Sequence, residues 1–207
     1  MSRCCVVFGG GDPVSADIVK AELSGGEYLI AADSGYRLMQ QLSLEPELII
    51  GDFDSAPEPE TPNKQVFPVE KDDTDLMLAI KAGLSAGCKS FKLFGVTGGR
   101  LDHTIAAIQS LAYLSEHQAF GEIISDNERI ALLAPGKHTV PKREGYTLSL
   151  FAYTESVRGL SVRGVKYKAE NITLTNSFPL GVSNSITDAE AGITFTDGCL
   201  LVIASRL

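Results

Sequence analysis

The order of hydrophobic patterns along the chain constrains its fold more than any single motif. Through about the first 120 residues, short apolar runs alternate with stretches of helical period. "RCCVVFGG" reads as a strand ending at Gly9, followed by the helix "SADIVKAELS" with Ser15 as N-cap. "EYLIAADSG" is a strand ending at Asp33, and "YRLMQQLSL" a short helix. "PELIIGDFDS" is a third strand, entered through Pro46; "KQVFPVEKDDTD" is an edge strand, because Pro68 interrupts it. The helix "DLMLAIKAGLSAG" closes at Gly87, the strand "KSFKLFGVTGG" follows, and "RLDHTIAAIQSLAYLSEH" is the longest helix. "GEIISDN" is a sixth strand. This alternation predicts an α/β fold whose N-terminal sheet is mostly parallel and Rossmann-like, with helices on both faces.

Helical periodicity disappears from "ERIALLAPGKHTVP" onward. "YTLSLFAY", "GLSVRGVKY", "NITLTNS", "GITFTDG" and "CLLVIAS" are short strands separated by turn residues. They predict a C-terminal antiparallel β-sandwich or barrel. The expected domains are residues 1–125 and 126–207.

Composition excludes several classes. With 44% hydrophobic and 21% charged residues, the chain can bury a core and is not disordered. A formal charge of -8 without a basic stripe argues against nucleic-acid binding. No apolar run approaches the ~18 residues of a membrane span, and the N-terminal apolar stretch is too short for a signal peptide. A cytoplasmic location is expected. Cys4, Cys5, Cys88 and Cys199 form no CxxC pair, so they read as reduced thiols on strands rather than a zinc site.

In a parallel α/β sheet, ligands bind beyond the carboxyl ends of the strands. The polar residues collect there: Asp33 after "LIAA", Asp52 and Asp54 after "ELII", Asp72, Asp73 and Asp75 after "VFPVE", and Thr97 to Asp102 after "FKLFGV". Asp52 and Asp54, two residues apart in an extended segment, point to one side and favour a bound cation. Magnesium suits such a pair, since it takes carboxylates together with substrate phosphates. In "KDDTDLML" one of Asp72, Asp73 and Thr74 caps the helix, Asp75 stands as a third candidate ligand, and Lys71 offsets charge or meets a phosphate. In "GVTGGRLDHT", Gly98 and Gly99 let backbone approach a phosphate and Arg100 adds a fork. Asp102 is a candidate metal ligand or base there, and His103 reads as a packing or capping residue. "FGGGDP", residues 8–13, reads as a turn before it reads as a phosphate loop. Carboxylates, Mg²⁺, glycine N–H groups and Arg100 together suit phosphoryl-type transfer.

"DSG" at 33–35, "GDFDS" at 51–55, "DDTD" at 72–75 and "GGRLDH" at 98–103, in this order, resemble the motifs of thiamine pyrophosphokinases of the bacterial type. "GVSNS" at 181–185 is similar to that family's thiamine-contacting loop. The resemblance implies a homodimer, with each active site between the α/β domain of one subunit and the β domain of the other. It implies transfer of pyrophosphate from ATP to the thiamine hydroxyl, giving thiamine diphosphate and AMP. Asp52, Asp54 and Asp75 would hold Mg²⁺. Asp33, Ser34, Thr74, Thr97, Gly98, Gly99 and Arg100 would meet ATP. Asp102 would bind metal or orient the hydroxyl, and Ser183, Asn184 and Ser185 would contact the aminopyrimidine. The catalytic set is then Asp54, Asp75, Asp102 and Arg100. The chain has no Trp, which some members stack near thiamine, so a Phe or Tyr takes that place or the pocket is looser. Two other readings compete: a haloacid-dehalogenase-like phosphatase, for which "LIIGDFDSA" lies on the third strand instead of the first, and a non-catalytic nucleotide- or thiamine-binding module.

Overall fold

A computed structural model describes residues 3–51, 64–66 and 73–207, and the chain divides into two compact units, Met1–Asp126 and Asn127–Leu207. In the first unit the strands are β1 (Cys4–Phe8), β2 (Tyr28–Ala32), β3 (Leu48–Gly51), β4 (Lys64–Val66), β5 (Ser90–Phe94) and β6 (Phe120–Ile124). The helices are α1 (Ala16–Glu22), α2 (Gly35–Gln41), α3 (Asp75–Ser85) and α4 (Leu101–Glu116). Pairing is parallel throughout, in the order β4-β3-β2-β1-β5-β6. The chain steps outward from β1 to β4, then returns to place β5 on the other side of β1. Such a reversal opens a crevice beyond the carboxyl ends of the two strands that flank it.

Continuous apolar runs make these strands because both faces are covered. On one face Val6, Phe8, Ala31, Ile49 and Phe94 pack with Val19 of α1 and with Leu38 and Met39 of α2. The Phe8 and Phe94 rings stack at 5.4 Å. Toward the other face, Gly83 of α3 lies against Phe91 and the Cys5 sulfur, and Leu111 and Leu114 of α4 lie over Gly121. The α3 helix starts at Thr74, whose Oγ1 accepts the Met77 N–H at 3.2 Å, so Thr74 is the cap among the three candidates. Ser15 precedes α1 without capping it; its hydroxyl donates instead to Asp126 at 2.5 Å.

A buried carboxylate closes the turn before β2. Glu27 accepts from Ser24 N and Oγ, both at 2.6 Å, and from Gly25 N at 3.0 Å. Burial pushes its carboxyl up, but the Ser24 and Gly25 donors outweigh that and hold it below the usual carboxylate range. A depressed folded value stabilises above the unfolded one and is lost as pH falls through the folded one. Glu27→Gln is therefore expected to cost about 1 kcal/mol at pH 7, in urea unfolding, and progressively less as pH falls below the ordinary carboxylate range. Equal midpoints for the two proteins at pH 7 would contradict this.

The second unit is all β. It contains β7 (Glu128–Leu133), β8 (Gly136–Pro141), β9 (Tyr146–Ala152), β10 (Ser156–Arg163), β11 (Ala169–Thr175), β12 (Gly181–Asn184), β13 (Glu190–Phe195) and β14 (Leu200–Arg206). β12-β9-β14-β7 and β11-β10-β13-β8 are antiparallel arrays. Both contribute to one core, with Leu148, Leu150 and Val202 from the first and Leu160, Ile193 and Phe195 from the second. Two layers sharing one core make a sandwich. Across the chain the strand pairing is thus mixed, with a separate antiparallel sheet of four strands. The expected mostly parallel N-terminal sheet holds for the pairings of β1 to β6, but the ten-stranded sheet to which they belong is mixed. Among the described residues no helix is long and apolar enough to cross a membrane.

Candidate active site

The carboxyl ends of β1, β2 and β5 and the amino ends of α3 and α4 surround a cleft of about 650 Å³. Asp33, Thr74, Asp75, Gly98, Gly99, Arg100 and Asp102 all line it, so most of the polar residues read from the strand ends meet in one place. Asp52 and Asp54, with Lys71 and Asp72, lie outside the described residues.

Two glycine-rich segments face each other at the crevice, and they do different work. Gly9 N, Gly11 N and Asp12 N donate to the carbonyls of Phe94, Gly95 and Thr97 at 2.8, 2.6 and 2.9 Å. The "FGGGDP" segment is therefore a turn stitched to the end of β5, and three of its N–H groups are engaged. The Gly98–Gly99 turn is the reverse. Both residues have positive φ, +87° and +59°, and no described residue accepts either N–H. They lead into the sixteen residues of α4, whose amino end adds its own partial positive charge. That is an anion-binding arrangement.

Arg100 and Asp102 flank this turn. Arg100 Nε donates to Asp102 Oδ1 at 3.1 Å and Nη2 to Oδ2 at 2.5 Å. This hydrogen bonding holds the Asp102 carboxyl below its ordinary range and raises Arg100. Described residues engage two of the five guanidinium N–H groups. His103 is exposed and lines the cleft, rather than packing beneath it.

Asp33 adopts φ +52°, a conformation uncommon outside glycine, with its N–H on Ile50 O at 2.7 Å. A backbone held this way at a strand end aims the side chain into the cleft at a cost in strain. Ser34 is placed against Gly10, where a Cβ would collide with its hydroxyl.

Asp73, Thr97 and Thr74 each have a partner within the fold. Asp73 pairs with Lys81 Nζ, at 2.7 and 2.9 Å. Thr97 is buried, and its carbonyl holds Asp12. Thr74 lines the cleft but its oxygen already accepts the cap bond, which leaves its O–H as donor. Asp12 was not among the expected contacts, yet it lines the cleft. The only signal for it was a carboxylate directly after the glycine run that ends β1.

The donor set at the cleft is oxygen from carboxylates, which fits a hard divalent cation such as Mg²⁺. Among the described residues no group of three or more His, Cys, Asp and Glu closes on one point. Asp75, at the head of α3, is the described member of the expected set of three.

Ser183, Asn184 and Ser185 lie in the second unit, at β12 and just beyond it. Ser183 has φ +56° and donates its N–H to the buried Ser149 hydroxyl at 3.0 Å. Asn184 Oδ1 accepts from Tyr167 N at 3.0 Å and Ser185 N at 2.9 Å, and its Nδ2 donates to Tyr167 O at 2.8 Å. Asn184 thus acts first as a clamp on Tyr167, with one Nδ2–H left over. The Tyr167 ring stands 65% exposed, with the Lys166 ammonium 5.2 Å from its centre.

Comparison with known proteins agrees with this layout. Residues 19–121 match the family model described as "Thiamin pyrophosphokinase, catalytic domain", and residues 137–200 match "Thiamin pyrophosphokinase, vitamin B1 binding domain". The thiamine pyrophosphokinase of Bacillus subtilis (strain 168) is 30% identical over 184 residues, 85% of this chain and 86% of that protein. A crystal structure of thiamine pyrophosphokinase from Bacillus subtilis superposes with TM-score 0.91 at 26% identity, over 99% of this chain and 100% of that one. One from Geobacillus thermodenitrificans gives TM-score 0.87 at 25% identity, over 99% and 98%. The chain belongs to the thiamine pyrophosphokinase family.

Proposed function

We propose that the chain transfers the pyrophosphoryl group of ATP to the hydroxyl of thiamine. The observation that carries this reading is the Gly98–Gly99 turn, whose N–H groups no described residue accepts, lining one cleft with Asp33 and Asp75. The thiamine oxygen bonds to the β-phosphorus, the bond from that phosphorus to the α–β bridging oxygen breaks, and AMP leaves with that oxygen. The hydroxyl proton is released to an acceptor.

The first unit is the Rossmann-like catalytic domain in this reading. Gly98, Gly99 and the guanidinium of Arg100 hold the polyphosphate, with Asp33, Ser34 and Thr74 as further nucleotide contacts. Thr97 serves by fixing the turn through its carbonyl. Asp102, kept anionic by Arg100, orients the thiamine hydroxyl as a hydrogen-bond acceptor. Asp52, Asp54 and Asp75 would hold Mg²⁺, which supplies charge neutralisation on the polyphosphate when bound.

The second unit is the thiamine-binding domain. Tyr167 is the aromatic platform that replaces Trp: it is exposed, it is clamped beside Asn184, and its face already carries a cation. Ser183 and Ser185 flank it. Tyr167→Ala is expected to raise KM for thiamine about tenfold with kcat little changed, because the Asn184 clamp uses backbone atoms only. Tyr167→Phe should keep the wild-type KM; a KM unmoved by the alanine would remove Tyr167 from the pocket.

A homodimer completes the reading, with the cleft of one subunit served by the β-rich unit of its partner. The exposed Phe178, Leu180 and Val182 on that unit support a buried interface. Four free cysteines suit a reducing compartment, so the cytoplasm is the proposed location.

The test is a product assay with purified chain, ATP, Mg²⁺ and thiamine. AMP and thiamine diphosphate in equal amounts are expected. Steady formation of ADP, or of phosphate alone, would replace this reading by kinase or phosphatase chemistry.

A further inference from the structure

We infer that Asp12 is a selectivity residue of the cleft: its carboxylate makes the Gly98–Gly99 turn reject a bare polyphosphate and accept one already complexed with a divalent cation. The inference rests on the nucleotide reading given above and adds a role for a residue that this reading did not need.

The carboxyl group of Asp12 lies directly on the Cα face of Gly98, where an added Cβ would collide with its Cβ, Cγ and Oδ2. The residue is not free to swing away as a unit. Its N–H is fixed to Thr97 O at 2.9 Å, and that of Gly11 to Gly95 O at 2.6 Å. A negative charge is thus stationed beside the two N–H groups that suit a phosphate.

The other described charges around the cleft do not cancel it. Asp33 faces it from the end of β2 and Asp75 from the head of α3, with Asp102, Arg100 and His103 at the start of α4. Arg100, the permanent cation of this set, is already shared with Asp102. At about 5 Å a unit like charge lowers anion affinity about fourfold in the dielectric of water, and more where water is excluded. A phosphate reaching this turn alone meets that penalty. A polyphosphate arriving with its cation would not, because the cation would offset the charge of the carboxylates.

The experiment is calorimetric titration of the full chain with ATP, once in excess EDTA and once in excess MgCl₂. Wild type, Asp12→Asn, Asp12→Ser and the control Glu45→Gln are compared. Glu45 is exposed and precedes β3, at the opposite end of the sheet. The expected result for both Asp12 variants is at least fourfold tighter binding of metal-free ATP. Their affinity for ATP with Mg²⁺ stays within about twofold of wild type, and Glu45→Gln keeps the wild-type ratio of the two.

An unchanged ratio in the Asp12 variants overturns the inference while leaving nucleotide binding intact. A loss of affinity for ATP with Mg²⁺ also overturns it, since Asp12 would then be holding the cation itself. An equal gain in Glu45→Gln assigns the effect to net charge and removes Asp12 from the argument. No ATP binding by wild type under either condition overturns the nucleotide reading and this inference together.

Discussion

Asp75→Asn is expected to lower the rate of AMP formation by roughly a hundredfold or more. Asp75 is the first residue of α3 and lines the cleft opposite the Gly98–Gly99 turn. Replacing it removes one negative oxygen from the set proposed to hold the metal while keeping the shape of the side chain. A metal that neutralises developing charge contributes several kcal/mol to the transition state, which sets the size of the loss. The structural effect of the change shows in unfolding instead. The cap bond from Met77 N to Thr74 Oγ1 does not involve Asp75, and an acid in the first turn adds only about 0.3–1 kcal/mol. Steady-state kinetics together with urea unfolding separate the two effects. A kcat within threefold of wild type would take Asp75 out of the chemistry.

Gly35→Ala is expected to destabilise the first unit by about 3 kcal/mol or more, read from the urea midpoint. In an exposed helix the same change adds about 1 kcal/mol of stability, because alanine is the better helix former. Here the sign reverses. Gly35 opens α2 with no room for a side chain: a Cβ would overlap the Phe8 carbonyl and come within 2.9 Å of Gly9 N. Neither atom can move alone, since Gly9 N also donates to Phe94 O. The helix must lift off β1, and the Asp33–Ser34 corner goes with it. Nucleotide affinity should therefore fall along with stability. An alanine protein as stable as wild type would show that α2 can shift without cost.

Much of this arrangement was readable in the chain because period and polarity are local. The alternation in the N-terminal part of the chain located six strands and four helices, and strand direction then placed Asp33, Asp75 and the Gly98–Asp102 segment on one rim. What escaped depends on pairing at a distance. Asp73 looks like its neighbours, and only the fold shows Lys81 eight residues away taking it. Asp12 reads as a turn residue after three glycines until Gly98 is found beneath it. In the second unit, β8 ("GKHTVP") is mostly exposed and polar and β12 is four residues long. Neither carries the buried run of β9 or the alternation of β10. Asn184 reads as a ligand contact, and its clamp on Tyr167 seventeen residues earlier is visible only in space.

The three backbone bonds that stitch Gly9, Gly11 and Asp12 to the end of β5 have a consequence for the thermodynamics of binding. They join two loops, each glycine-rich and by composition mobile, into one floor before any ligand arrives. Ordering a free loop costs about 1–2 kcal/mol per residue, and in this cleft that cost is met during folding instead of at encounter. The glycines that give the turn its shape therefore do not weaken its grip. Contacts made to the floor appear almost undiminished in the affinity, which is what lets a single fixed charge beside it discriminate between two forms of the same nucleotide.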